Sequence, residues 1–234
     1  MMAVVLAAGR GTRLADAGED TPKPLMPIAG VAVIDRILDA LAGDGFDDAV
    51  VVTGHRAGEV EEHLASRAAV RFVRQEHPTG TGDALLAARS ALGSAPFLVT
   101  WVDVVVEPGT YRRVVEAAGE NDAAVAVNYL DDLSTGGAVA IEDGMVTGIT
   151  EKPGPIAGWN LTGVLALDHE VWPHVADVER SVRGEYELPD AIGAWVGDGG
   201  RIAAIPVKGP VFEIGTPQGL AAAVAYFSGK SSSR

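Results

Sequence analysis

Leu6-Ala7-Ala8-Gly9-Arg10-Gly11-Thr12-Arg13-Leu14, followed by Pro22-Lys23-Pro24-Leu25-Met26-Pro27 and Gly30, is the stretch that decides how this chain folds. The apolar run Ala3 to Ala7 reads as a buried strand that leads straight into a glycine loop. Glycines let backbone N–H groups approach an anion closely, and side-chain cations then neutralise it. Arg10, Arg13 and the proline-flanked Lys23 supply those cations. A site for a nucleoside triphosphate needs this combination. Two familiar phosphate loops are excluded. No Gly-Lys-Ser/Thr ending follows, and Leu14 stands where the dinucleotide fingerprint requires its third glycine.

Outward from this loop, strands and helices alternate. Asp48 to Thr53, Val70 to Arg74, Pro96 to Trp101 and Ala123 to Asn128 read as strands rich in Val, Phe and Leu. Between them Ile34, Ile37, Leu38 and Leu41 recur at helical spacing, and Leu85, Leu86 and Leu92 do so less regularly. Such alternation predicts a mainly parallel sheet covered on both faces, with ligands at the carboxyl ends of its strands. The second half changes character. Gly136 to Ile141 and Met145 to Thr150 flank Glu142-Asp143-Gly144, a hairpin with an Asp-Gly turn. Leu161 to Leu167 and Ile202 to Val207 read as strands. Glu187 to Val196, with Pro189 in its first turn, and Pro217 to Phe227 read as helices. One domain over 1–228 is expected. Residues 1–130 would bind the nucleotide, 131–228 would form a small β-rich lobe, and 229–234 would be a frayed tail.

Composition narrows the function. The 234 residues suit one α/β domain with ample core. The formal net charge is −14, which argues against a nucleic-acid or membrane-surface binder. No stretch approaches the roughly 18 apolar residues of a membrane span, and no signal peptide is legible. Cysteine is absent, which removes disulfides and thiol chemistry. A cytoplasmic location is the expectation. The few cations must concentrate where a triphosphate binds, and Arg10, Arg13 and Lys23 do so in sequence.

Two acids stand out. Asp103 ends the apolar run Phe97 to Val102, which suits a magnesium ligand or, more plainly, a turn at a strand end. Glu213 precedes Ile214-Gly215-Thr216-Pro217 and reads the same two ways. Gln75 offers an acceptor for an N3–H and a donor for a carbonyl, which matches uracil or thymine; turned over, it would also serve cytosine. It could equally cap a loop.

The Leu6-to-Leu14 run and Pro22 to Pro27, at this spacing, resemble the nucleotidyltransferase family that makes nucleotide-activated sugars from sugar-1-phosphates. The resemblance extends from Leu6 to Leu220. It implies a Rossmann-like mixed α/β sheet with helices on both faces and a small β-rich acceptor lobe. It also implies residue roles. Leu6, Ala7, Ala8, Gly9, Arg10, Gly11 and Thr12 would hold the nucleotide, with Gln75, Gly80 and Thr81 at its base. Arg13 and Lys23 would be catalytic, on the β,γ- and α-phosphates. Asp103 and Glu213 would hold Mg²⁺. Glu151 and Lys152 of Glu151-Lys152-Pro153, with Asn160, Thr162 and Gly163, would bind the acceptor. Arg183 to Ile192 matches a family segment near the acceptor, which makes Glu187 and Asp190 weaker site members.

The chain departs from the pattern twice. Val102 replaces the glycine before Asp103, and Glu213 replaces an aspartate. The implied reaction is Mg²⁺-dependent transfer of NMP from UTP or dTTP to a sugar-1-phosphate, releasing pyrophosphate. A cytidylyltransferase with a small phosphorylated or phosphonate acceptor is the alternative. A catalytically silent nucleotide-binding relative is a second alternative. Family habit implies a homodimer. No hexapeptide-repeat domain follows Leu220, so a bifunctional acetyltransferase form is not expected.

Overall fold

The computed structural model describes residues 1–11 and 20–231. Its centre is a nine-stranded mixed sheet. The strands are β1 (Met2–Leu6), β4 (Ala49–Thr53), β5 (Val70–Arg74), β6 (Phe97–Trp101), β8 (Ala123–Leu130), β9 (Gly137–Glu142), β10 (Met145–Glu151), β11 (Gly158–Leu167) and β12 (Ile202–Pro206). Two ribbons stand apart from it. One joins β2 (Pro27–Ile28) to β3 (Val31–Ala32), the other joins β7 (Val104–Val105) to β13 (Phe212–Glu213).

The sheet runs β5-β4-β1-β6-β11-β8-β12-β10-β9. The first four strands are mutually parallel. β1, β4 and β6 read as nearly continuous apolar runs because both faces are covered, while the edge strand β5 exposes Arg71 and Arg74. After β1 the chain builds outward through β4 and β5, then returns to place β6 on the other side of β1. That reversal creates a crevice at the carboxyl ends of β1 and β6, the place where open α/β sheets bind ligands. Leu6 and Trp101 end these two strands in register, and the Val102 amide donates to the Leu6 carbonyl at 3.1 Å.

The second-half strands continue the same sheet. β11 pairs antiparallel with both β6 and β8, and β12 pairs parallel with β8. The expected acceptor region is therefore the far wing of one sheet, joined to the parallel strands through β11. β11 starts at Gly158, earlier than the apolar run from Leu161 suggests, and an irregularity interrupts its pairing with β8 between Leu161 and Leu165.

Helices α1 (Val33–Gly43), α2 (Ala57–His63), α4 (Thr110–Ala118) and α7 (Pro217–Ser231) contribute to the core on one face. Helices α3 (Thr81–Leu92), α5 (Val171–Asp177) and α6 (Leu188–Gly197) contribute to the other. In α1 the expected stripe Ile34, Ile37, Leu38 and Leu41 is buried. Each such side chain contributes up to about 1.5–3 kcal/mol. α6 begins at Leu188, one residue after the expected Glu187, with Pro189 in its first turn. α7 continues to Ser231, past the expected end at Phe227 and through the start of the expected tail at 229. Helix α4 carries Tyr111, Val114, Val115 and Ala118 at helical spacing, whereas α2 and α5 are too short for a repeated stripe. The three bury Val60, Val114 and Trp172 through contacts that only the folded sheet provides.

Candidate active site

The glycine loop leaves β1 at the crevice. Leu6, Ala8, Gly9, Arg10 and Gly11 line a cavity of about 690 Å³. Ala7, between Leu6 and Ala8, is buried in the core at 2% exposure. The adjacent Ala8 is pinned from behind, because a Cβ at Gly54 would fall 2.8 Å from the Ala8 Cβ and carbonyl oxygen. Thr12 and Arg13 lie outside the described residues.

Lys23 enters on a 3₁₀ turn, Lys23–Leu25, bracketed by Pro22 and Pro24. Two prolines fix the local backbone, and burial of Pro24 and Met26 anchors the turn. The Lys23 side chain then passes over Gly11; a Cβ there would sit 3.4 Å from Lys23 Cβ. Its Nζ donates to Asp103 Oδ2 at 3.0 Å, across 80 residues of sequence. Both side chains are largely but not fully buried, at 13% and 22% exposure.

Asp103 follows β6, and its carbonyl accepts from the Ile214 amide at 2.7 Å. The β7–β13 ribbon sets Glu213 opposite Val104. The sequence-distant acids Asp103 and Glu213 thus come to line one cavity, together with Lys23. No group of three or more His, Cys, Asp or Glu capable of holding a metal occurs among the described residues.

The residues expected at the base, Gln75, Gly80 and Thr81, lie at the β5–α3 loop and line the same cavity. Gln75 is 7% exposed, and its Nε2 donates to the Gly80 carbonyl at 3.1 Å and to Asp83 Oδ2 at 2.8 Å. Gly80 and Thr81 also line the cavity, yet much of their chemistry serves the neighbouring chain segment. The Tyr186 amide donates to Thr79, the Gly82 amide donates to Tyr186, and the Leu188 amide donates to Thr81 Oγ1. A Cβ at Gly80 would fall 2.3 Å from the Tyr186 oxygen.

The acceptor candidates line the same cavity. Lys152 follows β10 with φ +48, and its amide donates to the Gly136 carbonyl at 2.9 Å. A left-handed lysine is strained, and such strain gathers at functional sites. Glu151, Lys152, Asn160 and Thr162 all line the cavity. Thr162 is less available than expected, because its hydroxyl donates to the Ala126 carbonyl at 3.0 Å. Asn160 Nδ2 donates to Asn128, while its Oδ1 is buried with no partner among the described residues. Gly163 yields space to protein: a Cβ there would fall 2.3 Å from the Trp101 ring. Trp101, which fills the space beside Gly163, itself lines the cavity.

Arg183 also lines the cavity, and sequence reasoning did not single it out. Its Nη2 donates to Glu187 at 2.5 Å and to Glu151 at 3.3 Å, joining α6 to β10 at the cavity wall. Burial pushes the Glu151 carboxyl above its ordinary value; Arg183 pulls it down and Glu187 pushes it up again. Burial also raises Asp190, with Glu187 adding to it. The signal was present in Arg183-Gly184-Glu185-Tyr186-Glu187, but only the fold shows which acid the arginine meets.

The MobA-like NTP transferase domain family matches residues 3–183, most of the chain. The chain belongs to this family. It is 26% identical over 234 residues to the bifunctional protein GlmU of Methanococcus maripaludis strain S2, covering 98% of this chain and 55% of that protein. It is 30% identical over 217 residues to the glucose-1-phosphate thymidylyltransferase of Streptomyces antibioticus, covering 89% of this chain and 61% of that one. It thus spans a little over half the length of these curated relatives. A UDP-glucose pyrophosphorylase crystallised with UDP-glucose shares the fold, with a TM-score of 0.85, 22% identity and 98% coverage of both chains. Among the described residues no helix is long and apolar enough to cross a membrane.

Proposed function

We propose that this NTP transferase domain moves a nucleoside monophosphate from UTP or dTTP onto a sugar-1-phosphate and releases pyrophosphate. The observation that carries the reading is the convergence at the β1/β6 crevice. The glycine loop, Lys23 and Asp103 meet there, with Lys152 lining the same cavity. The thymidylyltransferase relative supports both the pyrimidine and the sugar phosphate. Residues 1–130 serve the nucleotide and 131–228 chiefly the acceptor, with Glu213 crossing that division.

In this reading an acceptor phosphate oxygen attacks the α-phosphorus, and pyrophosphate leaves in line. The acceptor is already ionised, so no general base is required. Positioning and neutralisation of charge dominate. Lys23 exchanges its Asp103 partner for the α-phosphoryl oxygens as negative charge grows on them. Arg13 takes the β,γ-phosphates. Lys152 holds the acceptor phosphate as a compact charge, and Glu151 accepts from a sugar hydroxyl. The donor set fits magnesium. Asp103 and Glu213 offer two carboxylates, and Mg²⁺ fills its remaining positions with water and phosphate oxygens. When bound there, the ion neutralises phosphate charge and fixes the orientation of the triphosphate.

Pyrophosphate release with Mg²⁺ tests this. UTP, dTTP, CTP, GTP and ATP are crossed with sugar-1-phosphates, phosphocholine and small phosphonates. The expected result is a signal that requires UTP or dTTP together with one sugar-1-phosphate. A signal with CTP and a non-sugar acceptor overturns the substrate assignment. Silence in every combination overturns the catalytic reading.

A further inference from the structure

Gln75 is held so that only one end of its amide can meet a ligand. The side chain has two donors on Nε2 and one acceptor, Oε1. Nε2 faces the Gly80 carbonyl at 3.1 Å and the Asp83 carboxylate at 2.8 Å. Both neighbours are obligate acceptors. Turning the amide over would set Oε1 against two oxygens, so the chemistry of the two neighbours fixes the orientation. Thr79 strengthens the arrangement, because its hydroxyl donates to the same Asp83 Oδ2 at 2.6 Å. The Gln75 backbone is fixed too, with its amide donating to the Thr53 carbonyl at 2.8 Å. With Nε2 engaged, Oε1 is the end left for the cavity that Gln75 lines. No hydrogen bond to Oε1 forms among the described residues.

We propose that Asp83 is a positioning residue for nucleobase choice, locking Gln75 as an acceptor and so selecting uracil or thymine over cytosine. This rests on the function proposed above. Uracil and thymine carry a donor at N3, whereas cytosine carries a lone pair there. With the fixed Oε1 set against N3, the first pair forms a hydrogen bond and the second opposes two acceptors; cytosine could use its N4 amino donor only by shifting in the site. A site built around a hydrogen bond rejects a mismatched partner strongly, because a buried polar group is then left unpaired. The ambiguity of a free glutamine, which serves any pyrimidine by turning over, is removed by a residue eight positions along the chain.

Calorimetric titration of the whole protein with UTP, dTTP, CTP, GTP and ATP, each with Mg²⁺, tests the assignment. Wild type is expected to bind UTP or dTTP at least tenfold more tightly than CTP. Asp83→Ala should bring that ratio to within about threefold of unity. Asp83→Asn keeps an oxygen for Nε2 and should retain most of the discrimination. The ratio is independent of the fraction of protein that is folded. Should Asp83→Ala fail to fold, Thr79→Val, which removes the supporting hydroxyl, should lower the ratio about threefold.

Binding of UTP and CTP with equal affinity by wild type, or a preference for GTP or ATP, overturns the inference. An unchanged ratio in Asp83→Ala, or in Thr79→Val where that variant stands in, does the same. An equal fall in the Ala and Asn variants makes the charge at the start of α3 the cause and overturns the orienting role. Failure of wild type to bind any of the five nucleotides overturns the proposed function itself.

Discussion

Lys23 and Glu151 show how single residues here are placed against their own comfort. Lys23 pairs with Asp103 without substrate, so a triphosphate must compete with that carboxylate for the ammonium. Lys23→Ala is expected to lower kcat by about 10²-fold, the scale for losing one preorganised charge. Lys23→Arg should not restore it, because a planar fork cannot replace a point charge. Steady-state turnover in the two variants checks this. Glu151 is held above its ordinary value mainly by burial. A carboxyl raised in this way binds its proton more tightly in the folded protein. Stability therefore falls as pH climbs from the unfolded carboxyl value through the folded one. Glu151→Gln removes that loss. It should be more stable than wild type at pH 7, with the advantage gone below about pH 4, where the unfolded carboxyl is also protonated. Urea unfolding at both pH values measures it. A less stable variant at pH 7 would mean that the ion pair with Arg183 outweighs burial. The acceptor KM should rise in the same variant.

Between elements, the β5–α3 loop and the segment before α6 behave as one unit. Thr79, Thr81 and Gly82 exchange hydrogen bonds with Tyr186 and Leu188. The same segment carries Arg183 and Glu187 to the cavity wall. Gly80 makes this docking possible, since any Cβ there meets the Tyr186 backbone, and its φ of +120 is one that L side chains rarely adopt. Gly80→Ala is expected to destabilise by roughly 1–3 kcal/mol through overpacking and strain. It should also raise KM for both substrates, because residues expected to bind each substrate hang from the displaced contact. Thermal unfolding and two-substrate kinetics test the pair of effects. A loss confined to the nucleotide KM would show that the two segments move independently.

Across the whole molecule the net charge of −14 opposes compaction, while the site collects Arg10, Lys23, Lys152 and Arg183 around one cavity. Self-repulsion weakens as salt shortens the screening length. The melting midpoint should rise as NaCl increases from about 10 to 150 mM, across which the Debye length falls from about 30 to 8 Å. Nucleotide affinity should fall over the same range, since salt screens the attraction of Arg10 and Lys23 for the phosphates; five carboxylates, Asp103, Glu151, Glu185, Glu187 and Glu213, line the same cavity and leave it no net positive charge. A midpoint that drops would show that attractive pairs such as Arg67 with Asp35 and Asp39 outweigh the net repulsion.

Sequence alone determined what depends on neighbours along the chain. Apolar runs set β1, β4, β5 and β6, helical spacing set α1, and the Asp-Gly turn set the β9–β10 hairpin, because side-chain period and turn chemistry are local properties. The glycine loop, Lys23, Asp103 and Lys152 were legible for the same reason: their motifs are contiguous. Tertiary structure alone decided the rest. The two-residue ribbon that brings Glu213 to Asp103 has no periodicity to read. The carboxylates that Arg183 bridges lie 4 and 32 residues away, and Gly163 is bare for Trp101, which lies on the neighbouring strand β6. The orientation of Gln75 followed from Asp83 only once the β5–α3 loop had closed and faced both its neighbours toward Nε2. Residue type states what a side chain can donate or accept; only the fold, by bringing distant groups within 3 Å, spends some of that capacity and leaves the remainder for a ligand.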